Sequence, residues 1–111
     1  MLATIRIVMC LTAMFSTSVF AQVSGDPTRG LAFALKTCAS CHGVQSTDLS
    51  SPRPNTITFR EVANAPGMTG IAINVFLQTP HKEMPNLIID SQDRADVISY
   101  IVSLNVAPKA K

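Results

Sequence analysis

Cys38-Ala39-Ser40-Cys41-His42 decides how the rest of this chain is read. Two thiols at this spacing can both reach the edge of one porphyrin and add across its vinyl groups as thioethers. The histidine that follows is carried with them and can offer its imidazole to the iron as one axial ligand. A C-x-x-C-H run is therefore the mark of covalent haem attachment. The same residues admit two other readings. A C-x-x-C pair can be a redox dithiol, but that motif normally accompanies a βαβ pattern, and none is found here. It can also be half of a tetrahedral zinc site, which needs four protein ligands. The third cysteine, Cys10, falls in a segment expected to be removed.

Towards the N-terminus the chain reads as a secretory signal. Arg6 supplies a positive charge, residues 7–15 form an apolar run, and Val19-Phe20-Ala21 places small residues three and one positions before a cut after Ala21. Residues 1–21 are thus expected to be the signal and 22–111 the working domain. The apolar run falls short of the roughly 20 residues of a membrane span, so no stable insertion is expected. An uncleaved anchor is the alternative. Export agrees with haem attachment, which needs reduced thiols on the far side of a bacterial membrane, and the expected location is the periplasm. Both remaining cysteines are then used by the cofactor, and no structural disulfide is expected.

A mature chain of about 90 residues makes one domain. Chains of this size bury only about 60–65% of their unfolded surface and often need a metal or crosslink to be stable. A tethered haem would supply the missing centre. Without Arg6 the chain keeps eight basic residues against seven acidic ones, with no basic stripe, which argues against nucleic acid as a partner.

The coarse pattern is helical throughout. Asp26-Pro27 has the form of a helix start, leading into a helix over 28–37 that runs directly into the cysteines. Residues 43–55 carry the turn-forming residues Gly43, Ser46, Asp48, Ser50, Ser51, Pro52, Pro54 and Asn55 and read as a loop, whose length suggests that it binds something. A short helix is expected over 58–63 and another, capped by Thr69, over 70–78. The β-branched content of the latter would also suit a strand. Residues 80–89 form a second loop bearing His81, Met84 and Pro85. Asp90 and Ser91 offer caps for a last helix, in which Val97, Ile98, Ile101, Val102 and Leu104 recur at helical spacing.

With these features in order, the sequence resembles the class I mono-haem cytochromes c of bacteria over nearly all of the mature chain. Gly30, Ala34 and Cys38 resemble the family's N-terminal helix, and Val97 and Tyr100 the matching pair on its C-terminal helix. The resemblance implies an all-α cytochrome c fold, three to five short helices and loops wrapped around one covalent haem c. It implies Cys38 and Cys41 as attachment points and His42 and Met84 as axial ligands, Met84-Pro85 being similar to the family's distal dipeptide. Pro54, twelve residues beyond His42, looks like the proline whose carbonyl receives the histidine's second N–H, with Pro52 as runner-up. A carbonyl in that role fixes the tautomer and raises the donor strength of the imidazole.

His81 and Met68 are the competing sixth ligands, and a methionine in a small domain is more often core filling than ligand. Arg53 and Arg60 are candidate partners for haem propionates, against a reading as ordinary solvated surface. Many relatives carry a tryptophan near a propionate, whereas this chain has none. The expected function is one-electron transfer, with no enzymatic activity of its own. The protein would be a monomer that meets redox partners of respiratory complexes by transient docking at the haem edge. A haem-bearing subunit of a periplasmic dehydrogenase or oxidase is the alternative. A ligand-binding haem protein is a further one, which requires that Met84 not bind iron.

Overall fold

The structure, a computed structural model, describes residues 24–106. The expected signal segment, with Cys10 and the cut after Ala21, lies outside the described residues, as does the tail from Ala107. Among the described residues there are four α-helices and no strand. None of the helices is long and apolar enough to cross a membrane.

Helix α1 (Pro27–Thr37) starts where the Asp26 carboxylate accepts the N–H groups of Thr28 and Arg29, with Pro27 filling a position whose N–H would have no partner. It ends at Cys38, and the chain continues in a tight turn in which the N–H groups of Cys41 and His42 both donate to the Cys38 carbonyl, at 3.1 and 2.9 Å. Helix α2 (Phe59–Asn64) is opened by a reciprocal capping box between Thr58 and Glu61. Helix α3 (Gly70–Gln78) is capped by the Thr69 hydroxyl, and α4 (Ser91–Ser103) by the Asp90 carboxylate. The segment that also suited a strand is helical.

Helix α4 is the hub. Each of α1, α2 and α3 packs on it, and none of these three packs on another. The crossing with α1 is the closest: a Cβ on Gly30 would fall within the Asp96 carbonyl and lie 2.8 Å from Tyr100 Cβ. Ala34, Val97, Tyr100, Ile101 and Leu104 fill the space around this crossing, joined by Val44, Phe59, Ala63 and Ile73. Asp96, only 1% exposed, is satisfied at that point by the N–H of Asp26 at 2.7 Å, by Arg29 Nε at 2.7 Å and Nη2 at 3.0 Å, and by Gln92 Nε2 at 2.9 Å. The Tyr100 hydroxyl donates to the Val44 carbonyl at 2.6 Å, tying α4 to the chain just beyond His42.

Candidate haem site

Because α1, α2 and α3 touch α4 and not one another, a hollow is left between them. It has a volume of about 250 Å³. Cys38 and His42 enter it from the end of α1, Phe59 and Val62 from α2, Ile73, Phe76 and Leu77 from α3, and Ile101 from α4. Met68, His81 and Met84 also line it, so all three sixth-ligand candidates reach the same cavity as His42. A second hollow, of about 190 Å³, shares His42, Ile57, His81 and Met84 with the first. This one is lined by Cys41 and by the charged residues Arg53, Lys82 and Glu83.

The His42 ring nitrogen Nδ1 lies 2.7 Å from the Ile57 carbonyl. A carbonyl only accepts, so Nδ1 carries the proton and the lone pair remains on Nε2, the form a metal ligand needs. The expected partner, Pro54, does not fill this role, and neither does Pro52. The Phe59 N–H donates to the Gly43 carbonyl at 2.8 Å, and that register lays residues 57–59 alongside 42–43. Pro54 precedes Asn55, whose φ of 59° turns the chain, and its carbonyl faces the Thr56 hydroxyl at 3.5 Å instead. Ile57 was missed because a backbone acceptor leaves no mark in residue type. The signal that could have found it is Thr58-x-x-Glu61: a capping box there starts α2 at Phe59 and fixes where the preceding carbonyl points. Phe59 then packs against the imidazole, ring centroids 5.6 Å apart.

The other expectations divide. His81 Nδ1 lies 2.6 Å from the Thr79 carbonyl, and its ring meets Phe76 edge-on at 5.4 Å. Its Nε2, like that of His42, is the ring nitrogen left outside that contact. Arg53 stands at the cavity rim, where its guanidinium donates to the Glu83 carbonyl at 2.8 Å. Arg60 lines a separate depression with Asp48, Leu49, Glu61 and Val106, away from His42. Of the apolar side chains on the helices, Ile73 and Phe76 line the cavity, whereas Phe33 and Ile98 pack on the core beside it.

The alternatives to haem fare poorly here. Burial, with Cys41 adding to it, pushes the Cys38 thiol up to about 11. A redox dithiol needs the opposite, a thiol acidified by its surroundings. Both cysteines are free, and among the described residues no group of three or more His, Cys, Asp or Glu side chains could hold a metal ion. A zinc site is therefore not built. An amphipathic ring does fit: an apolar hollow adjoins a charge-lined one, Cys38 faces the former and Cys41 the latter, and His42 stands between them.

A sequence profile described as Cytochrome c matches residues 28–105. The chain belongs to the cytochrome c family. It is thus an all-α class I c-type cytochrome whose cofactor is covalent haem c, and it is a haem-based electron carrier. It is also similar to a protein named cytochrome c-552 from Bradyrhizobium diazoefficiens, with 28% identity over 95 residues that cover 86% of this chain and 90% of that one. No solved structure matches the chain significantly.

Proposed function

We propose that this cytochrome is an exported carrier of single electrons in which Cys38 and Cys41 tether the haem and His42 and Met84 are its axial ligands. The observation that carries this reading is the convergence of Cys38, His42 and Met84 on one apolar cavity. Bound there, the iron porphyrin supplies a reversible one-electron couple between Fe(III) and Fe(II). The protein's share is to hold and to exclude. The Ile57 carbonyl fixes the His42 ring, while Phe59, Val62, Ile73 and Ile101 keep water from the ring's interior faces. The Met84 thioether favours the reduced state over a second imidazole. His42 and Met84 would hold the iron from two side chains of this chain, which would leave no open position for a small substrate. Residues 1–21 carry the chain to the periplasm and are cut after Ala21. Redox partners dock transiently at the cavity rim, in a small interface.

Absorption spectra of the purified protein in both oxidation states, taken with its intact mass, test this directly. The expected result is a mass raised by one haem and lowered by residues 1–21, with the weak long-wavelength thioether–Fe(III) band in the oxidised form. His81→Ala should keep that band and Met84→Ala should lose it. The reverse outcome would give the sixth position to His81.

One observation favours a second reading, a haem-bearing subunit of a larger periplasmic oxidoreductase. Ile71 and Val75, one helical turn apart on α3 and outside the cavity lining, are 80% and 56% exposed. An obligate subunit would cover such a face. Size-exclusion chromatography of the native extract separates the two: a free carrier elutes at the mass of one chain, a subunit with its assembly.

A further inference from the structure

Arg53 is held at both ends. Its backbone N–H donates to the Cys41 carbonyl at 3.3 Å, in the turn that carries the attachment cysteines. Its guanidinium Nη1 donates to the Glu83 carbonyl at 2.8 Å, across the cleft. The Glu83 carboxylate is farther away, 3.9 Å from Nη2, and its side chain is 70% exposed, so the backbone contact is the tighter of the two.

Glu83 itself has a φ of 70°; with Asn55 it is one of two non-glycine residues in the left-handed region among those described. A residue with a side chain enters that region at a cost and stays where its surroundings hold it. Glu83 immediately precedes Met84, whose N–H closes a turn on the His81 carbonyl at 3.3 Å. Farther on, the same loop is fastened by Arg94, which donates to the Ile89 carbonyl at 3.0 Å. The stretch bearing Met84 is thus slung between two arginine–carbonyl contacts.

We infer that Arg53 is a positioning residue for Met84: by gripping the Glu83 carbonyl from the cysteine turn, it holds the left-handed bend that keeps the thioether in the cavity. This rests on the reading of Met84 as an axial ligand. An exposed ion pair alone would contribute little. A charged donor on a carbonyl is stronger, and here it is anchored through its own backbone to the other side of the site. Loosening it lets the loop swing out, and a competitor from solution then meets less opposition at the sixth position.

The experiment titrates the oxidised holoprotein with imidazole and follows loss of the thioether–Fe(III) band. Arg53→Gln should bind imidazole about five- to tenfold more tightly than the wild type, since the competing side chain is held in place a smaller fraction of the time. Glu83→Gln should behave as the wild type, because the carbonyl that is gripped remains. Adding Glu83→Gly to Arg53→Gln should move the affinity back towards the wild type, because glycine adopts positive φ unaided. Arg53→Lys keeps the charge but not the fork, and it should also bind imidazole more tightly than the wild type. It carries the test if the glutamine variant does not fold.

Arginine variants that bind imidazole within about twofold of the wild type at full haem content overturn the inference. An equal effect from Glu83→Gln overturns it as well, by assigning the work to the ion pair. A Met84→Ala protein indistinguishable from the wild type in band and affinity would instead remove the reading of Met84 beneath it.

Discussion

Both histidines at the haem site have one ring nitrogen fixed by a backbone carbonyl, Ile57 for His42 and Thr79 for His81, and substitutions there separate what each atom does. Met84 has a sulfur where His81, three residues earlier, has a nitrogen, and both reach the cavity. On the proposed reading of Met84 as an axial ligand, Met84→His exchanges a thioether for an imidazole and should lower the reduction potential. The drop should be on the order of 0.1–0.3 V, a fraction of the roughly 0.8 V that axial ligands command; spectroelectrochemistry of the two holoproteins measures it. Asp96 is the other residue with a sharp signature. Arg29, the Asp26 N–H and Gln92 hold its carboxyl at about 2, well below the usual carboxylate range. A depressed folded-state value means stability that is fully present above the unfolded value and is lost as pH falls through the folded one. The loss attributable to Asp96 therefore runs from about pH 4 down to about 2, the upper bound being the ordinary aspartate value. Asp96→Asn should be less stable than the wild type at pH 6, and the gap should narrow across that window in thermal melts. At this scale the sequence was legible in where residues meet: Cys38, His42 and Met84, singled out by type, come to one cavity, and Cys41 lines the hollow beside it. It was opaque where the chemistry resides in backbone, as in the Ile57 carbonyl. Pro54 was expected there by resemblance, and a proline's place in the sequence does not determine which carbonyl a loop presents.

Among the helices, the boundaries followed from caps and breakers that the residues themselves announce: Asp26-Pro27, Thr69, Asp90 and the Pro80 that follows α3. Helix α2 begins one residue later than expected because Thr58 spends its side chain as a cap instead of joining the helix. What periodicity could not give is which face of each helix meets which neighbour. Phe33 and Ile98 were apolar and well placed, yet they seal the core while Val62 and Leu77 face the cavity. Two glycines make the difference measurable. At Gly30 an added Cβ would press on the Asp96 backbone and the Tyr100 Cβ, neither of which can move without parting α1 from α4. At Gly70 the nearest atoms are methyl groups of Ile98 and Val102 at 3.4 and 3.8 Å, close to ordinary contact. Gly30 lies within α1 and Gly70 is the first residue of α3, so alanine brings an intrinsic gain of up to about 1 kcal/mol at the former and less at the latter. Gly30→Ala should nevertheless destabilise the holoprotein by about 1–3 kcal/mol through overpacking. Gly70→Ala should be neutral or stabilising by up to about 1 kcal/mol. Guanidinium titrations reading the two midpoints against the wild type decide it, and equal signs would contradict this account of the crossing.

At the scale of the described residues, the architecture is a spoke arrangement with an apolar hollow between the spokes. Helices α1, α2 and α3 each lean on α4 and leave the space between them apolar. A domain of this size has little core to spare, and here the described core concentrates at the α1–α4 crossing, with its buried Asp96 network and the Tyr100–Val44 hydrogen bond. The far side has less holding it. Helix α2 spans six residues and α3 nine, both too short to persist on propensity alone. Phe76 and Val75 on α3 are already more than half exposed. Removing the haem should therefore not unfold the chain evenly. It should release α2, α3 and the Met84 loop first, as the least stable cooperative unit, while α1 and α4 retain residual protection. A Cys38→Ala/Cys41→Ala protein prepared without haem provides the case. Its far-UV helix signal should fall well below that of the holoprotein. In amide hydrogen exchange, segments 59–64 and 70–78 should show no protection, whereas 27–37 and 91–103 exchange more slowly. Uniform protection at the holoprotein level would mean that the four helices enclose their cavity unaided. Uniform loss would mean that the α1–α4 crossing, too, depends on the ring that α1 helps to tether.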